Sequence, residues 1–522
     1  MTKKILYPIG FALACVVCLA AFSFAAEGSG TVRAGYVLTD EDGHRGVNQE
    51  TFNSYEGFAL SVERFNYLFD NGMNLNANLR NVTLNNRNLY AGIGKPGLFN
   101  LSARNNQYRR TYDFDGVSFT RRRFTSMEAD LRPLKNINLF GGFSRTDKRG
   151  DNLAALSPVA DTVGFSSDYT HTSFHAGAKG YCPYGNLRVE YRRFDYYDDI
   201  DPDNDREANI IKVSAFSKFP QHNWLTLAAG YIYRQDKMYE TAADLRTDQA
   251  WGATKIYLAH NYKIDYRLLY GVSKQEPSSV NTDHWVNTVS LSKVWPRQGG
   301  FRLGFENRIV DDSLNRTGSN GVLADVWYSA LDRIMLKGAV ASRSRDIKSG
   351  TVLIGDEDYS KYRVSAKYTG NRWGGLSLRY EERVKDNPDV NSKSDYRGLT
   401  GAISLKPREG CRMQFSYSYY RGQFENHSSD VSFEFADNVL QAMLAPKLME
   451  DFTFSATGTY YRSHRDRDIE KLNLKFSGRY DLGVRHAVEV TYNLLTYDDF
   501  LVRSDYYTGN IIEINLIKDL KL

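Results

Sequence analysis

From Leu376 to Arg383 the chain reads Leu-Ser-Leu-Arg-Tyr-Glu-Glu-Arg. On an extended backbone Leu376, Leu378 and Tyr380 fall on one side, and Ser377, Arg379, Glu381 and Arg383 on the other. A helix would scatter those charges around its surface, whereas a period of two sorts them. The alternation recurs almost end to end, as at 136–147, 164–179, 185–195, 358–369 and 470–481, and is hardest to divide at 86–106 and 430–445. It predicts about 26 strands (range roughly 22–28), each near the ten or so residues that a tilted strand needs to cross a bilayer.

The connections sort into two classes. Those after even-numbered segments are tight, such as Asp70-Asn71-Gly72, Cys182-Pro183-Tyr184-Gly185 and Pro296-Arg297-Gln298-Gly299. Those after odd-numbered segments read as long and polar, among them 40–48, 106–118, 146–162, 196–207, 235–249 and 384–394. A soluble sandwich or propeller has no reason to sort its loops in this way. A transmembrane barrel does, with short periplasmic turns and longer extracellular loops. The expected fold is therefore all-β: a single transmembrane antiparallel up-and-down barrel.

Composition agrees. Aromatics make up 13% of the chain, Tyr alone numbers 36 and Pro only 12, which suits strands with aromatic girdles at two membrane interfaces. No stretch beyond the first 26 residues offers the roughly 20 apolar residues of a transmembrane helix. Residues 1–25 read as a signal peptide, with Lys3-Lys4, an apolar run and the small-x-small Ser23-Phe24-Ala25, which leaves 26–522 as the barrel. Formal charge is +5, or +3 without Lys3 and Lys4, too small and too mixed to argue for nucleic acid. The segment Thr508–Ile514 looks like the terminal-strand signal read by outer-membrane assembly machinery. The expected location is a Gram-negative outer membrane, with its lipid and lipopolysaccharide as surroundings.

The two faces have different chemistry. Leu187, Val189 and Tyr191, or Tyr362, Val364 and Tyr368, form apolar rows. Opposite them run Arg188, Glu190 and Arg192; Arg302, Glu306 and Arg308; Lys361, Arg363 and Lys367; Arg379, Glu381 and Arg383; and Lys471, Lys475 and Arg479. Charges facing lipid near the midplane would cost roughly 2–4 kcal/mol each, so the charged rows are expected to face the lumen. Some 26 strands give a wall about 50 Å across and a bore on the order of 30 Å. Such a hole needs filling. TonB-dependent receptors use an N-terminal plug, general porins an inward loop, and the lipopolysaccharide-assembly barrel a further domain, and none of these is legible here. The sequence thus points to a separate protein as the filler.

Gly30–Tyr36, Asn88–Phe99 and Tyr108–Gly116 resemble the MtrB/PioB family of cytochrome-associated outer-membrane barrels. The resemblance implies an insulating sheath in trans-outer-membrane electron transfer. Its expected partner is a periplasmic or extracellular multihaem c-type cytochrome inserted in the lumen. The mature chain has no CxxCH, so no cofactor is expected on it directly, and haem only in the partner. Two other readings compete: a general or anion-favouring diffusion porin, and a rim enzyme built on loop Asp and His.

Other candidate residues are few. Asp201, Asp203 and Asp205 alternate in an outward loop and could share a Ca²⁺, although the Gly and closing Glu of an EF-hand are absent. His171 and His175 share a strand face about 13 Å apart, too far to chelate one ion together. Cys182 and Cys411 fall in periplasmic turns about twelve strands apart, too distant for a bridge.

Overall fold

The computed structural model describes residues 28–521 apart from 44–54, 112–118, 156–161, 350–357 and shorter turn segments of one to three residues. The signal-peptide region lies outside the described residues. Twenty-six antiparallel strands form one sheet. It closes where the first, β1 (Gly28–Gly43), pairs with the last, β26 (Tyr506–Lys521), from Ser29 opposite Lys521 to Gly43 opposite Tyr507. Every other neighbouring pair is consecutive in sequence, so the topology is a plain meander closed on itself. Closure matters because an open strand edge in lipid would leave backbone N–H and C=O groups without partners. Thr508–Ile514 lies within β26, so the segment read as an assembly signal is also the closing strand.

The tight turns have the chemistry their sequences announce. In Asp70-Asn71-Gly72 the Asn71 side-chain oxygen accepts the Met73 N–H at 3.0 Å, and Gly72 adopts φ +78°. A left-handed φ of this kind costs glycine little and other residues more. The turn from Lys95 to Leu98 works alike, with Gly97 at φ +80° and the Leu98 N–H donating to the Lys95 carbonyl at 3.0 Å.

The extracellular side differs from the sequence reading. Strands run far into segments that read as loops. β7 (Ile137–Ala155) and β8 (Thr162–Cys182) cover most of 146–162. β9 (Gly185–Asp198) and β10 (Arg206–Lys218) narrow the connection read as 196–207, and β19 (Gly374–Asn387) and β20 (Ser392–Leu405) that read as 384–394. The cause is visible on the outer face. Above the apolar row of β9 (Leu187, Val189, Tyr191) comes Arg193, which holds Asp195 at 3.0 Å and Glu207 of β10 at 3.1 Å. Likewise Arg397 holds Glu382 across the β19–β20 pair at 3.1 Å and Asp395 along its own strand at 3.2 Å. These strand ends rise above the lipid with water on both faces, so their alternation is polar on both sides and imitates a loop.

Between the apolar band and this collar runs a girdle of hydrogen bonds. Outward tyrosines donate to an amide oxygen on the next strand: Tyr191 to Asn209 at 2.6 Å, Tyr266 to Asn287 at 3.0 Å, Tyr417 to Asn438 at 2.6 Å and Tyr492 to Asn510 at 2.8 Å. Each ring keeps its apolar body toward the hydrocarbon and its hydroxyl toward the headgroups. Within the band, side chains stay exposed on the bare barrel, as with Leu187 at 50% and Val364 at 61%, because lipid is their partner.

Candidate functional site

The register decides which charges meet. Paired residues point to the same side of the sheet, so Arg302 opposite Asp325 and Arg363 opposite Glu381 belong to one face. That is the side away from the apolar rows, and the fifteen charged positions read from the sequence share it by alternation.

Most of them are engaged, and in different ways. On β9, Glu190 is nearly buried and takes Arg188 at 2.7 Å and Arg192 at 2.8 Å. On β15 (Gly299–Asp312), Glu306 receives Arg343 of β17 (Ile334–Ser349) at 3.3 Å, and Arg302 donates its Nε to Asp325 at 2.9 Å. Arg308 continues the same row. On β18 (Asp358–Thr369) and β19, Glu381 serves three cations at once: Lys361 at 2.8 Å, Arg363 at 3.0 Å and Arg379. Lys367 is exposed, and Arg383 lies over the Tyr396 ring at 5.3 Å. On β24 (Ile469–Gly483), Lys471 sits 4.9 Å from the Tyr497 ring centroid, Lys475 is exposed, and Arg479 reaches Asp481 at 2.9 Å and Asp519 at 3.5 Å.

The inner wall is electrically uneven. From β13 (Tyr262–Glu276) to β19 it carries a recess of about 1070 Å³ lined by Lys263, Arg302, Lys337, Arg363 and Arg379, with Asp325 the one acid among its lining residues. A second recess of about 350 Å³ shares Lys263 and Arg302 and extends to Arg267, Glu306 and Arg343. The sequence contained every one of these residues, but not that seven consecutive strands would gather them. That grouping shows only when inward positions are read across strands instead of along them.

The remaining candidates find local roles. In the 199–205 connection a 3-10 turn forms over Pro202–Asn204. The Asp201 carboxylate accepts the Asn204 amide at 2.9 Å, and the Asp205 carboxylate accepts the Asp198 N–H at 2.6 Å. These hydrogen bonds shape the turn, and among the described residues no three His, Cys, Asp or Glu side chains gather as a metal ion would need. His175 pairs with Glu128 at 3.1 Å, and His171 stacks on Phe194 at 5.7 Å. Cys182 ends β8 and Cys411 begins β21 (Cys411–Asn426), and both thiols are free.

A closed barrel with an apolar outer band, an aromatic girdle and a charged bore is an outer-membrane barrel, and that is where this chain resides. Among solved structures it is similar in fold to the siderophore receptor PirA from Acinetobacter baumannii, at 8% identity over 95% of this chain and 81% of that one, with a TM-score of 0.53. It is also similar to a variant of the ferric enterobactin receptor PfeA from Pseudomonas aeruginosa in complex with enterobactin, at 11% identity over 95% of this chain and 81% of that one, with a TM-score of 0.51. No protein family matches the chain, and no curated protein does either. The resemblance to the MtrB/PioB barrels rests on the segments quoted above.

These neighbours correct the functional expectation. Reading the barrel as a cytochrome sheath depended on its width, on the ground that a bore this broad implies a separate protein inside. Siderophore receptors share the same barrel fold across nearly the whole of this chain, so width does not single out a cytochrome. The sheath reading falls, and with it the multihaem c-type cytochrome as partner and the general or anion-favouring diffusion porin as alternative. The neighbours are receptors, which also removes the ground for a rim enzyme.

Proposed function

We propose that this barrel belongs to an outer-membrane receptor that takes up ferric chelates. The observation that carries the reading is the fold shared with PirA and PfeA over 95% of the chain. The chemistry of the bore supports it. Iron(III) in water travels as complexes of hydroxamate, catecholate or carboxylate ligands, too large and polar for the lipid, and the last two classes are commonly anionic. A wide lumen with basic recesses suits the passage of such a complex.

The test is uptake under iron restriction. Cells carrying or lacking the gene are fed radioactive iron(III) as a triscatecholate, a trishydroxamate or a polycarboxylate complex. Loss of uptake of at least one complex, restored by the gene on a plasmid, is the expected result. Unchanged uptake of all three would overturn the reading.

A further inference from the structure

We infer that the inner wall from β13 to β19 is a binding track for anionic ligands. This rests on the uptake reading and narrows its cargo to chelates of net negative charge. The argument is one of supply. Along this wall acids are too few for the bases: Glu381 is shared by Lys361, Arg363 and Arg379, and one carboxylate cannot neutralise three cations. Asp325 is committed to Arg302, and Asp265 to Lys263 at 2.7 Å. Lys337 and Lys367 have no carboxylate within ion-pair range among the described residues, and both are exposed.

Structure alone does not require such an arrangement. Cations that only brace a wall are matched with acids and enclosed, as Arg33 is between Glu489 and Glu63, with its side chain 23% exposed. Here the guanidinium groups remain open: the Arg363 side chain is 40% exposed and that of Arg379 52%. The two recesses share Lys263 and Arg302, so the unbalanced surface is continuous. It runs from the level of Arg343 down to the turns at Leu258–Asn261 and Pro296, at the periplasmic end. Low-dielectric walls lined by one sign of charge focus the field and concentrate counter-ions. Guanidinium forks suit the paired oxygens of carboxylates and catecholates. The track therefore selects against neutral and cationic complexes of the same size.

The test uses the full-length barrel purified in detergent, with two ferric complexes of similar size as probes: an anionic triscatecholate and a neutral trishydroxamate. Glu381→Gln frees cations without removing any, so it should tighten the anionic complex about threefold or more and leave the neutral one unchanged. The double variant Lys337→Gln/Arg363→Gln should weaken the anionic complex about tenfold at low salt, with the difference shrinking as salt is raised. A merely destabilised barrel would lose both complexes together. Reversal potentials in a salt gradient across planar bilayers give a readout independent of iron: Glu381→Gln should shift selectivity toward anions, and the double variant away from them. If the chelates bind but neither variant changes the anionic preference, the track is overturned while the uptake reading stands. If no chelate binds, the uptake reading falls. Reversal potentials that do not move in opposite directions would overturn the track in either case.

Discussion

Two stretches of the inner wall use the same residue types to opposite ends. At the seam where β26 meets β1, Arg33 and Arg80 are matched in number by Glu489 and Glu63. Arg33 reaches Glu489 at 2.5 Å and Glu63 at 3.4 Å, Arg80 adds to Glu63 at 3.5 Å, and Thr31 donates to Asp519 at 2.8 Å. Close by, Ala487 and Ile517 are almost fully enclosed, at 1% and 0% exposure. Across β13–β19 three cations share Glu381, and two of them, Arg363 and Arg379, stay open to the bore. The difference teaches what lumen charges are for. Matched and enclosed, they fix the register at closure; in excess and exposed, they are left for something that passes. Net charge over the whole chain hides this, because one wall is close to balanced and the other is not.

The largest expected effect sharpens the division between the two faces themselves. On β21, Phe415 faces the lipid and its neighbour Gln414 the bore. Phe415→Lys should cost about 2–4 kcal/mol if it lies near the midplane, whereas Gln414→Lys should cost less than about 0.5 kcal/mol. Urea-titrated refolding into vesicles, followed by gel mobility, separates them. A larger loss for Gln414→Lys would mean that the faces have been assigned the wrong way round.

Next comes a contrast between the two walls with one substitution. Glu489→Gln removes a partner from Arg33 in an enclosed network and should destabilise by about 2 kcal/mol. Glu381→Gln acts among open cations that water still reaches and should cost about 1 kcal/mol or less. The temperature at which the folded band is lost in detergent should fall clearly for the first and barely for the second. If Glu381→Gln proves the more damaging, the basic wall is braced structure and not a surface held open.

The smallest effect tests the girdle. Tyr492→Phe deletes the hydroxyl that Asn510 accepts and should cost about 0.5–1 kcal/mol in the same refolding titration. A loss well above that range would mean that the girdle does more than orient the rings.

The sequence was most legible where each face met a single solvent. Leu376, Leu378 and Tyr380 see only lipid and their opposite row only the bore, so a period of two identified the strand, and β19 extends just beyond the segment read as 374–385. Legibility failed above the girdle. Tyr196 to Asp198 of β9 and Asp386 to Asn387 of β19 lie on strand ends whose two faces are both wet, and no hydrophobic period distinguishes such an end from a loop. The basic track was hidden for another reason. Lys263, Arg302, Lys337 and Arg379 are far apart in sequence and become neighbours only through the register of consecutive strands. Reading inward residues strand by strand, in order, would have found it. The functional inference failed because barrel diameter constrains the size of what lies within, and not its identity.

The collar has a consequence for what the outside world can touch. Among the described residues the backbone above the lipid is hydrogen-bonded strand to strand and offers a protease few extended peptides to grip, whereas hairpin tips such as 199–205 should be cleaved on intact cells. Those same tips sit on stiff stalks, so an epitope grafted there would be carried clear of the bilayer.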